Sequence, residues 1–233
     1  IHFFPIIILF EKAVKEIQHG LKWKFVAKNY VHDNFFVVQN QKYKSLSEIL
    51  DIKKLMNVDR PIESANGLPN ECYTSDHYLE YERNKIFCEK WTVIGVGSSI
   101  PNAGDAKPYN LLGIPLIIVR DKDLKIRVFH NVCSHRGFKL IDKPCTLKNV
   151  IRCPYHSWSY DFKGNLVATP HIGGLNVHSS DQFEKNQSNL KEVRSKIWMD
   201  IIFVNINSNE IDFEEYIKPL EQRWSKFINH EDQ

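Results

Sequence analysis

Residues 133–137 read Cys-Ser-His-Arg-Gly, and residues 153–158 read Cys-Pro-Tyr-His-Ser-Trp. Each run places one cysteine and one histidine close together, in the pairs Cys133 with His135 and Cys153 with His156. Thiolates and imidazoles are the side chains that bind zinc and iron–sulfur clusters. Two tight pairs of these residue types therefore predict a metal centre that two loops share.

The order of the ligands within each pair helps to identify the metal. In zinc sites with two cysteines and two histidines, the cysteines usually pair with each other and the histidines with each other. Here both pairs are mixed, which suits a [2Fe–2S] cluster with two cysteines on one iron and two histidines on the other. Cys133 and Cys153 would ligate the first iron, and His135 and His156 the second. A zinc-binding interaction module remains a weaker alternative.

The residues around the two pairs extend the pattern. The runs at 129–137 and 153–166 resemble the Rieske domain of ring-hydroxylating oxygenase α subunits, the family of Rieske non-haem iron mono- and dioxygenases. The Rieske protein of cytochrome bc complexes resembles the chain less, because it adds a disulfide-forming cysteine after each ligand pair. Phe138 and Pro154 occupy the corresponding places here, and Cys145 has no partner in the pattern.

This resemblance covers residues 68–229 and implies a mainly β fold with flanking helices, built on an antiparallel Rieske [2Fe–2S] β-sandwich. We expect three parts: an uncharacterised N-terminal segment at 1–67, a lead-in helix plus the Rieske domain at 68–207, and the helical start of a truncated catalytic domain at 208–233. The family's C-terminal catalytic domain is therefore expected to be missing.

Hydrophobic patterning predicts the individual elements. A helix over 75–91 begins at the N-cap Ser75. Its predicted apolar face carries Tyr78, Leu79, Ile86 and Phe87. A second helix is predicted over 212–229, broken at Pro219. Alternating and apolar runs predict the strands, which are Thr92–Val96, Ile114–Arg120, Lys125–His130, Ser157–Tyr160, Leu166–Thr169, Leu190–Val193 and Ile201–Asn205.

Composition excludes several classes of function. The chain has 233 residues, 42% of them hydrophobic and 25% charged, with a formal net charge of +3. That charge is too small to indicate nucleic-acid binding, and the apolar run at 1–10 is too short to cross a membrane. Two of the five cysteines are assigned to the cluster and the rest are scattered. This distribution predicts a protein of the reducing cytoplasm.

The resemblance also implies an activity. A [2Fe–2S] cluster passes single electrons, which a reductase or ferredoxin would supply from NAD(P)H. In the family, a mononuclear Fe(II) held by two histidines and a carboxylate then activates dioxygen, and an organic substrate is hydroxylated or demethylated. Residues 208–233 contain a single histidine, His230, which is followed by two acidic residues. No catalytic residue is therefore assigned in this chain, which should accept electrons without turning over substrate.

Two further expectations concern partners. Family members are often homotrimers, in some cases with an added β subunit, and the runner-up function is a stand-alone Rieske ferredoxin-type electron carrier. Basic residues near the ligand loops predict a docking surface for an acidic electron donor, namely Arg136, Lys139, Lys143, Lys148 and Arg152. Tyr155 and Trp158 are expected to pack beside the cluster. His130, His171 and His178 have no ligand spacing.

Overall fold

The computed structural model describes residues 44–178, 180, 183–207 and 212–227. Residues 1–43, which include the predicted apolar run, and His230 therefore lie outside the described residues. Within the described part, the chain forms ten strands in three antiparallel sheets, together with five α-helices. The prediction of a mainly β fold with flanking helices is confirmed.

Four short helices precede the sheets. Their bounds are Leu46–Ile49 (α1), Ile52–Met56 (α2), Glu71–Thr74 (α3) and Asp76–Glu82 (α4). Ser75 caps α4 as predicted, because its hydroxyl accepts a hydrogen bond from the Tyr78 amide at 3.3 Å. Side-chain oxygens at this position satisfy amides that have no partner within the helix.

The apolar face predicted for this helix is wrong in part, since Leu79 is 50% exposed and Ile86 is 44% exposed. The helix continues beyond α4 as a π turn, Arg83–Phe87, in which the Cys88 amide donates to the Arg83 carbonyl at 3.0 Å. A π turn widens the helix and shifts the phase of the residues that follow it. The buried side chain after the turn is therefore Cys88 rather than Ile86.

The strands form three sheets of different composition. One sheet has the order β1-β10-β9, with bounds Thr92–Val96, Ile201–Asn205 and Arg194–Trp198. The central sheet has the order β4-β3-β2-β5, with bounds Ile126–His130, Ile114–Arg120, Asp105–Leu111 and Cys145–Thr146. The third has the order β6-β7-β8, with bounds Ile151–Arg152, Ser159–Tyr160 and Leu166–Ala168.

Strand β3 lies at the centre of the molecule because both of its faces are buried. Leu116 and Ile118 pack with residues of β1 and β10 in one core. Ile117 and Val119 pack on the other side with the residues that surround both ligand pairs. All four side chains are at most 1% exposed. Alternate residues of one strand thus join the outer sheet to the ligand-bearing hairpins, as in a sandwich.

Two expectations about the C-terminal part are wrong. The strand expected at Leu190–Val193 is instead β9, which begins at Arg194 and pairs with β10. The helix after residue 211 is continuous over Phe213–Trp224 (α5), with Pro219 inside it. Phe213 and Ile217 hold α5 by packing on Trp91 and Phe203. This buried contact outweighs the backbone hydrogen bond that a proline cannot donate.

None of the described helices combines the length and the apolar composition that crossing a bilayer requires.

Candidate metal centre

The two ligand loops have the same backbone construction. In the first, the Cys133 amide donates to the Phe138 carbonyl at 2.8 Å, and the Gly137 amide donates to the Cys133 carbonyl at 2.9 Å. In the second, the Cys153 amide donates to the Trp158 carbonyl at 2.8 Å, and the Ser157 amide donates to the Cys153 carbonyl at 3.0 Å. Each loop therefore closes over its cysteine through equivalent hydrogen bonds.

The fourth residue after each cysteine has a left-handed backbone. Gly137 has φ 69° and Ser157 has φ 59°. Glycine adopts this conformation without steric cost, whereas serine places its Cβ close to a carbonyl oxygen. Ser157 therefore adopts a strained conformation that the loop geometry requires.

A buried asparagine holds the first loop closed. Asn131, which is fully buried, donates through Nδ2 to the Ile141 carbonyl at 2.7 Å. Its Oδ1 accepts from the Leu140 amide at 3.2 Å and from the Ile141 amide at 2.9 Å. The side chain thus joins the end of β4 to the chain beyond the loop, a role that no pattern in the sequence indicates.

The second loop is closed by its own hairpin, in which β6 pairs with β7. Strand β7 also reaches the first loop, because the Tyr160 hydroxyl lies 3.2 Å from the Cys133 Sγ and accepts from the Ser134 amide at 3.1 Å. Tyr160 is fully buried. The sequence pattern predicts Tyr160 only as a strand residue, since its spacing gives no sign of a contact across the loops.

The four predicted ligand residues converge. Cys133 and Cys153 are buried, at 0% and 2% exposure. The rings of His135 and His156 have centroids 4.9 Å apart. The His156 Nδ1 is buried and has no hydrogen-bond partner within the protein. A buried ring nitrogen without a partner is costly unless it binds something, so the donor set fits a metal group at this position.

The arrangement differs from a mononuclear site. Among the described residues, no three His, Cys, Asp or Glu side chains group closely enough to hold a single metal ion. A [2Fe–2S] cluster does not need such a group, because each of its irons takes only two protein ligands. Two thiols and two imidazoles on facing loops can hold it.

Burial sets the protonation of these groups. It raises the pKa of the Cys133 thiol to about 11, and the Cys153 thiol beside it acts in the same direction. Burial lowers the pKa of His135 to about 4, with Arg136 adding to the effect, and it lowers the pKa of His156 in the same way. Both imidazoles are therefore neutral near pH 7, which is the form that binds metals. A bound iron would deprotonate the thiols.

Aromatic rings surround the two imidazoles. Trp158 is 3% exposed and stacks on His135, with centroids 4.5 Å apart and planes 11° apart. Tyr155 covers His156 at 3.6 Å between centroids, but is itself 52% exposed and contacts Phe138. A buried ring therefore shields the inner side of the site from solvent, and its outer side carries half-exposed aromatic rings.

The other residues singled out in the sequence have varied surroundings. All five basic residues predicted as a docking surface are exposed, and Lys139 forms an ion pair with Asp142 at 3.1 Å. His171 and His178 contact each other, with ring centroids 5.1 Å apart. His130 is buried in β4.

Comparisons with known proteins identify a matching family model and several relatives. Residues 90–179 match the family model of the Rieske [2Fe-2S] domain. The carnitine monooxygenase oxygenase subunit of Escherichia coli (strain K12) is 30% identical over 158 residues, which are 68% of this chain and 41% of that protein. The 2-aminobenzenesulfonate 2,3-dioxygenase subunit alpha of an Alcaligenes species is 30% identical over 67% of this chain and 39% of its own length.

Solved structures are similar as well. Naphthalene 1,2-dioxygenase from Rhodococcus has a TM-score of 0.63 and 26% identity, over 73% of this chain and 37% of that one. The apo form of the quaternary ammonium Rieske monooxygenase CntA has a TM-score of 0.61 and 28% identity, over 69% of this chain and 45% of that one. The chain spans about two fifths of the length of the curated relatives named above. Through residues 90–179 it belongs to the Rieske [2Fe-2S] domain family, and these relatives, matched over their Rieske part, are Rieske oxygenase α subunits.

Proposed function

We propose that Cys133 and Cys153 hold one iron of a [2Fe–2S] cluster, and that His135 and His156 hold the other. The observation that carries this assignment is the convergence of two equivalent loops, each with one buried thiol and one imidazole. When bound, such a cluster takes up and releases one electron at a time. Neutral imidazole ligands raise its potential relative to an all-cysteine cluster.

The chain's own residues contribute in several ways. The Tyr160 hydroxyl can donate to the Cys133 thiolate while it accepts from the Ser134 amide. Hydrogen bonds to a ligating sulfur withdraw charge from it and favour the reduced state. The buried face of Trp158 excludes water from the inner side of the site. Residues 68–207 would thus form an electron-transfer unit.

The intact protein is proposed to be the terminal oxygenase component of a Rieske oxygenase system. Relatives named as a monooxygenase oxygenase subunit and as dioxygenase α subunits support this role. In it, the domain receives electrons from a reductase or ferredoxin and passes them to a mononuclear Fe(II), where dioxygen reacts with an organic substrate. The ligands of that iron are not assigned to any residue of this chain, so the chain alone should not turn over substrate.

Assembly and location follow from the same role. We propose a homotrimer, with or without a β subunit, since one relative's structure was described in terms of inter-subunit electron transfer. A cytoplasmic location is supported by the cysteines, all five of which are free. Proteins of oxidising compartments commonly form disulfides.

The first test is electron paramagnetic resonance of the dithionite-reduced chain, with iron and acid-labile sulfide measured on the same sample. We expect a rhombic signal with the low average g value of histidine-ligated clusters. Replacing His135 or His156 by alanine should abolish it, whereas His77→Ala, at an exposed histidine of α4, should leave it unchanged. A silent sample with stoichiometric zinc would contradict the cluster and the oxygenase reading with it.

The runner-up, a stand-alone Rieske electron carrier, requires a different measurement. The mass of the protein isolated from its natural source separates the two functions. An oxygenase component should have a polypeptide more than twice as long as residues 68–229, as in the relatives that this chain matches over about 40% of their length. A native polypeptide ending near residue 233 would favour the carrier.

A further inference from the structure

The two imidazoles of the candidate site have different surroundings. The His135 ring lies nearly parallel to the Trp158 indole, with an 11° angle between the planes and 4.5 Å between the centroids. The His156 ring is instead tilted by 38° against Tyr155. Trp158 is buried at 3% exposure, whereas Tyr155 is 52% exposed. One imidazole therefore contacts a ring embedded in the core, and the other contacts a ring at the surface.

The indole is itself firmly held. The backbone carbonyl of Trp158 accepts a hydrogen bond from the Cys153 amide at 2.8 Å, and β7 begins at the next residue. The ring belongs to the core that includes Ile117 and Phe129. Phe183 meets it edge to face, with centroids 5.4 Å apart and planes 69° apart. A side chain fixed in this way offers a rigid plane to its neighbour.

A histidine ligand has a broad torsion between its Cβ and its ring, so bonding to a metal does not by itself fix the plane of the imidazole. A rotation of the His135 ring about this bond would drive its edge into the indole plane. The stacking contact therefore restricts the ring to one orientation. Edge-to-face contact with His156, at 70° between planes, does not impose the same limit.

The contact also joins the two loops, because His135 lies in the first and Trp158 in the second. Tyr160, two residues further along the second hairpin, likewise contacts Cys133 of the first loop. Both ligand residues of the first loop are thus contacted by side chains from the second hairpin. A change in the second hairpin should be felt at the first loop's ligands.

On the basis of the proposed cluster site, we propose that Trp158 is a positioning residue that fixes the plane of the His135 imidazole on its iron. His135 is then the ligand of single orientation, and His156 is the ligand whose ring has more freedom. The overlap between ring and metal orbitals depends on the ring plane, so the magnetic parameters of the reduced cluster report on it directly.

The test uses the full chain with its cluster, reduced with dithionite, and measures hyperfine coupling to the ligating nitrogens by pulsed electron paramagnetic resonance. Each nitrogen coupling is assigned to a histidine by changing the surroundings of one ligand at a time. Trp158→Leu changes the surroundings of His135, and Tyr155→Leu, the matched control, changes those of His156. We expect Trp158→Leu to broaden the distribution of one nitrogen hyperfine coupling and of the g values, while the iron and sulfide content stays unchanged. Trp158→Phe, which keeps an aromatic face, should restore the narrow spectrum.

A loaded Trp158→Leu protein with wild-type couplings would overturn the proposal, since a purely structural side chain changes cluster content and not the spectrum of the loaded fraction. If Trp158→Leu does not retain the cluster, Phe183→Leu takes its place, because it removes only the lateral support of the indole. A loaded Phe183→Leu protein with unchanged couplings would equally overturn it. A wild-type chain without iron and sulfide would instead disprove the proposed function.

Discussion

Ser157 has a left-handed backbone conformation, and the equivalent residue in the other loop is Gly137. The left-handed region costs a non-glycine residue roughly 1–2 kcal/mol, and the extra freedom of glycine in the unfolded chain offsets roughly half of this. Ser157→Gly should therefore raise the free energy of unfolding by about 0.5–1 kcal/mol. Denaturant titration of the loaded protein measures this.

Gly137→Ser is the matched control at the equivalent position, where φ is 69°. It should lower the free energy of unfolding by a similar amount. A stabilising Gly137→Ser, or a destabilising Ser157→Gly, would show that backbone strain does not govern these positions.

Tyr160→Phe removes one hydroxyl from a fully buried ring that approaches the Cys133 Sγ at 3.2 Å. A hydrogen bond to a ligating sulfur weakens its donation of charge to the iron, so its loss should lower the reduction potential of the cluster. Spectroscopic redox titration measures the change. Tyr155→Phe removes a hydroxyl from the half-exposed tyrosine beside His156 and should leave the potential within error of the wild type. A potential that rises or stays constant in Tyr160→Phe would contradict the role of the hydroxyl.

His130 predicts a pH dependence of stability. Burial, with Lys191 contributing, lowers the pKa of this imidazole to about 4 in the folded protein. The unfolded chain binds the proton first as the pH falls, so stability is lost between about pH 6.5 and 4. The difference corresponds to about 3 kcal/mol.

The measurement is the free energy of unfolding against pH for the wild type and for His130→Asn, which does not titrate in this range. The wild-type curve should fall more steeply below pH 6.5, and both curves share the contributions of all other groups. Parallel curves would show that His130 does not contribute.

At the scale of elements, the Asn131 side chain stabilises the closed conformation of the first ligand loop. Asn131 makes three hydrogen bonds across the base of the loop and is fully buried. Asn131→Ala leaves buried amides and a carbonyl without partners, each costing roughly 1–3 kcal/mol. We expect a loss of about 3 kcal/mol or more in stability, and faster loss of iron from the purified protein.

Asn110→Ala provides the control for this prediction. Asn110 is exposed at the β2–β3 turn, where its Oδ1 accepts from the Gly113 amide at 2.7 Å. Its loss should cost less than about 1 kcal/mol and should not affect iron retention. Equal rates of iron loss in the two variants would show that Asn131 has no specific role at the loop.

The helices show where local patterns are insufficient. Ser75 begins α4 as its sequence predicts, because an N-cap acts within one turn of the chain. No such local signal marks the π turn at Arg83–Phe87, after which Cys88 rather than Ile86 is the buried side chain. Similarly, α5 continues through Pro219 because its other side packs on Trp91 and Phe203.

At the scale of the whole molecule, the exposed basic residues near the ligand loops predict a faster encounter with an acidic donor. Lys143 and Arg152 are suitable targets, because Lys139 already forms an ion pair with Asp142. The double change to glutamate should slow reduction by a ferredoxin-type donor about tenfold at low salt and flatten its salt dependence.

Stopped-flow reduction at several salt concentrations measures this effect. The double change Lys122→Glu with Lys125→Glu, at the exposed turn between β3 and β4, alters the net charge by the same amount and serves as the control. A double variant with wild-type rate and salt dependence would exclude docking at this surface.

The sequence by itself determined most strands and the proposed ligand residues with their pairing, because these depend on residues close together in the chain. The strand Ile114–Arg120 was predicted from an apolar run, and such a run reflects burial on both faces. The assignment of the family also rested on local motifs, and the matched domain at residues 90–179 agrees with it.

Only the tertiary structure decided which distant residues support the ligands. Tyr160 meets Cys133, Trp158 meets His135, and Asn131 meets Ile141, all across segments brought together by folding. No periodicity or spacing encodes these contacts, since they arise where segments that are distant in sequence pack together in one core. The proposed ligand residues can therefore be predicted from local sequence, whereas their relative positions depend on the packing of the two loops against each other.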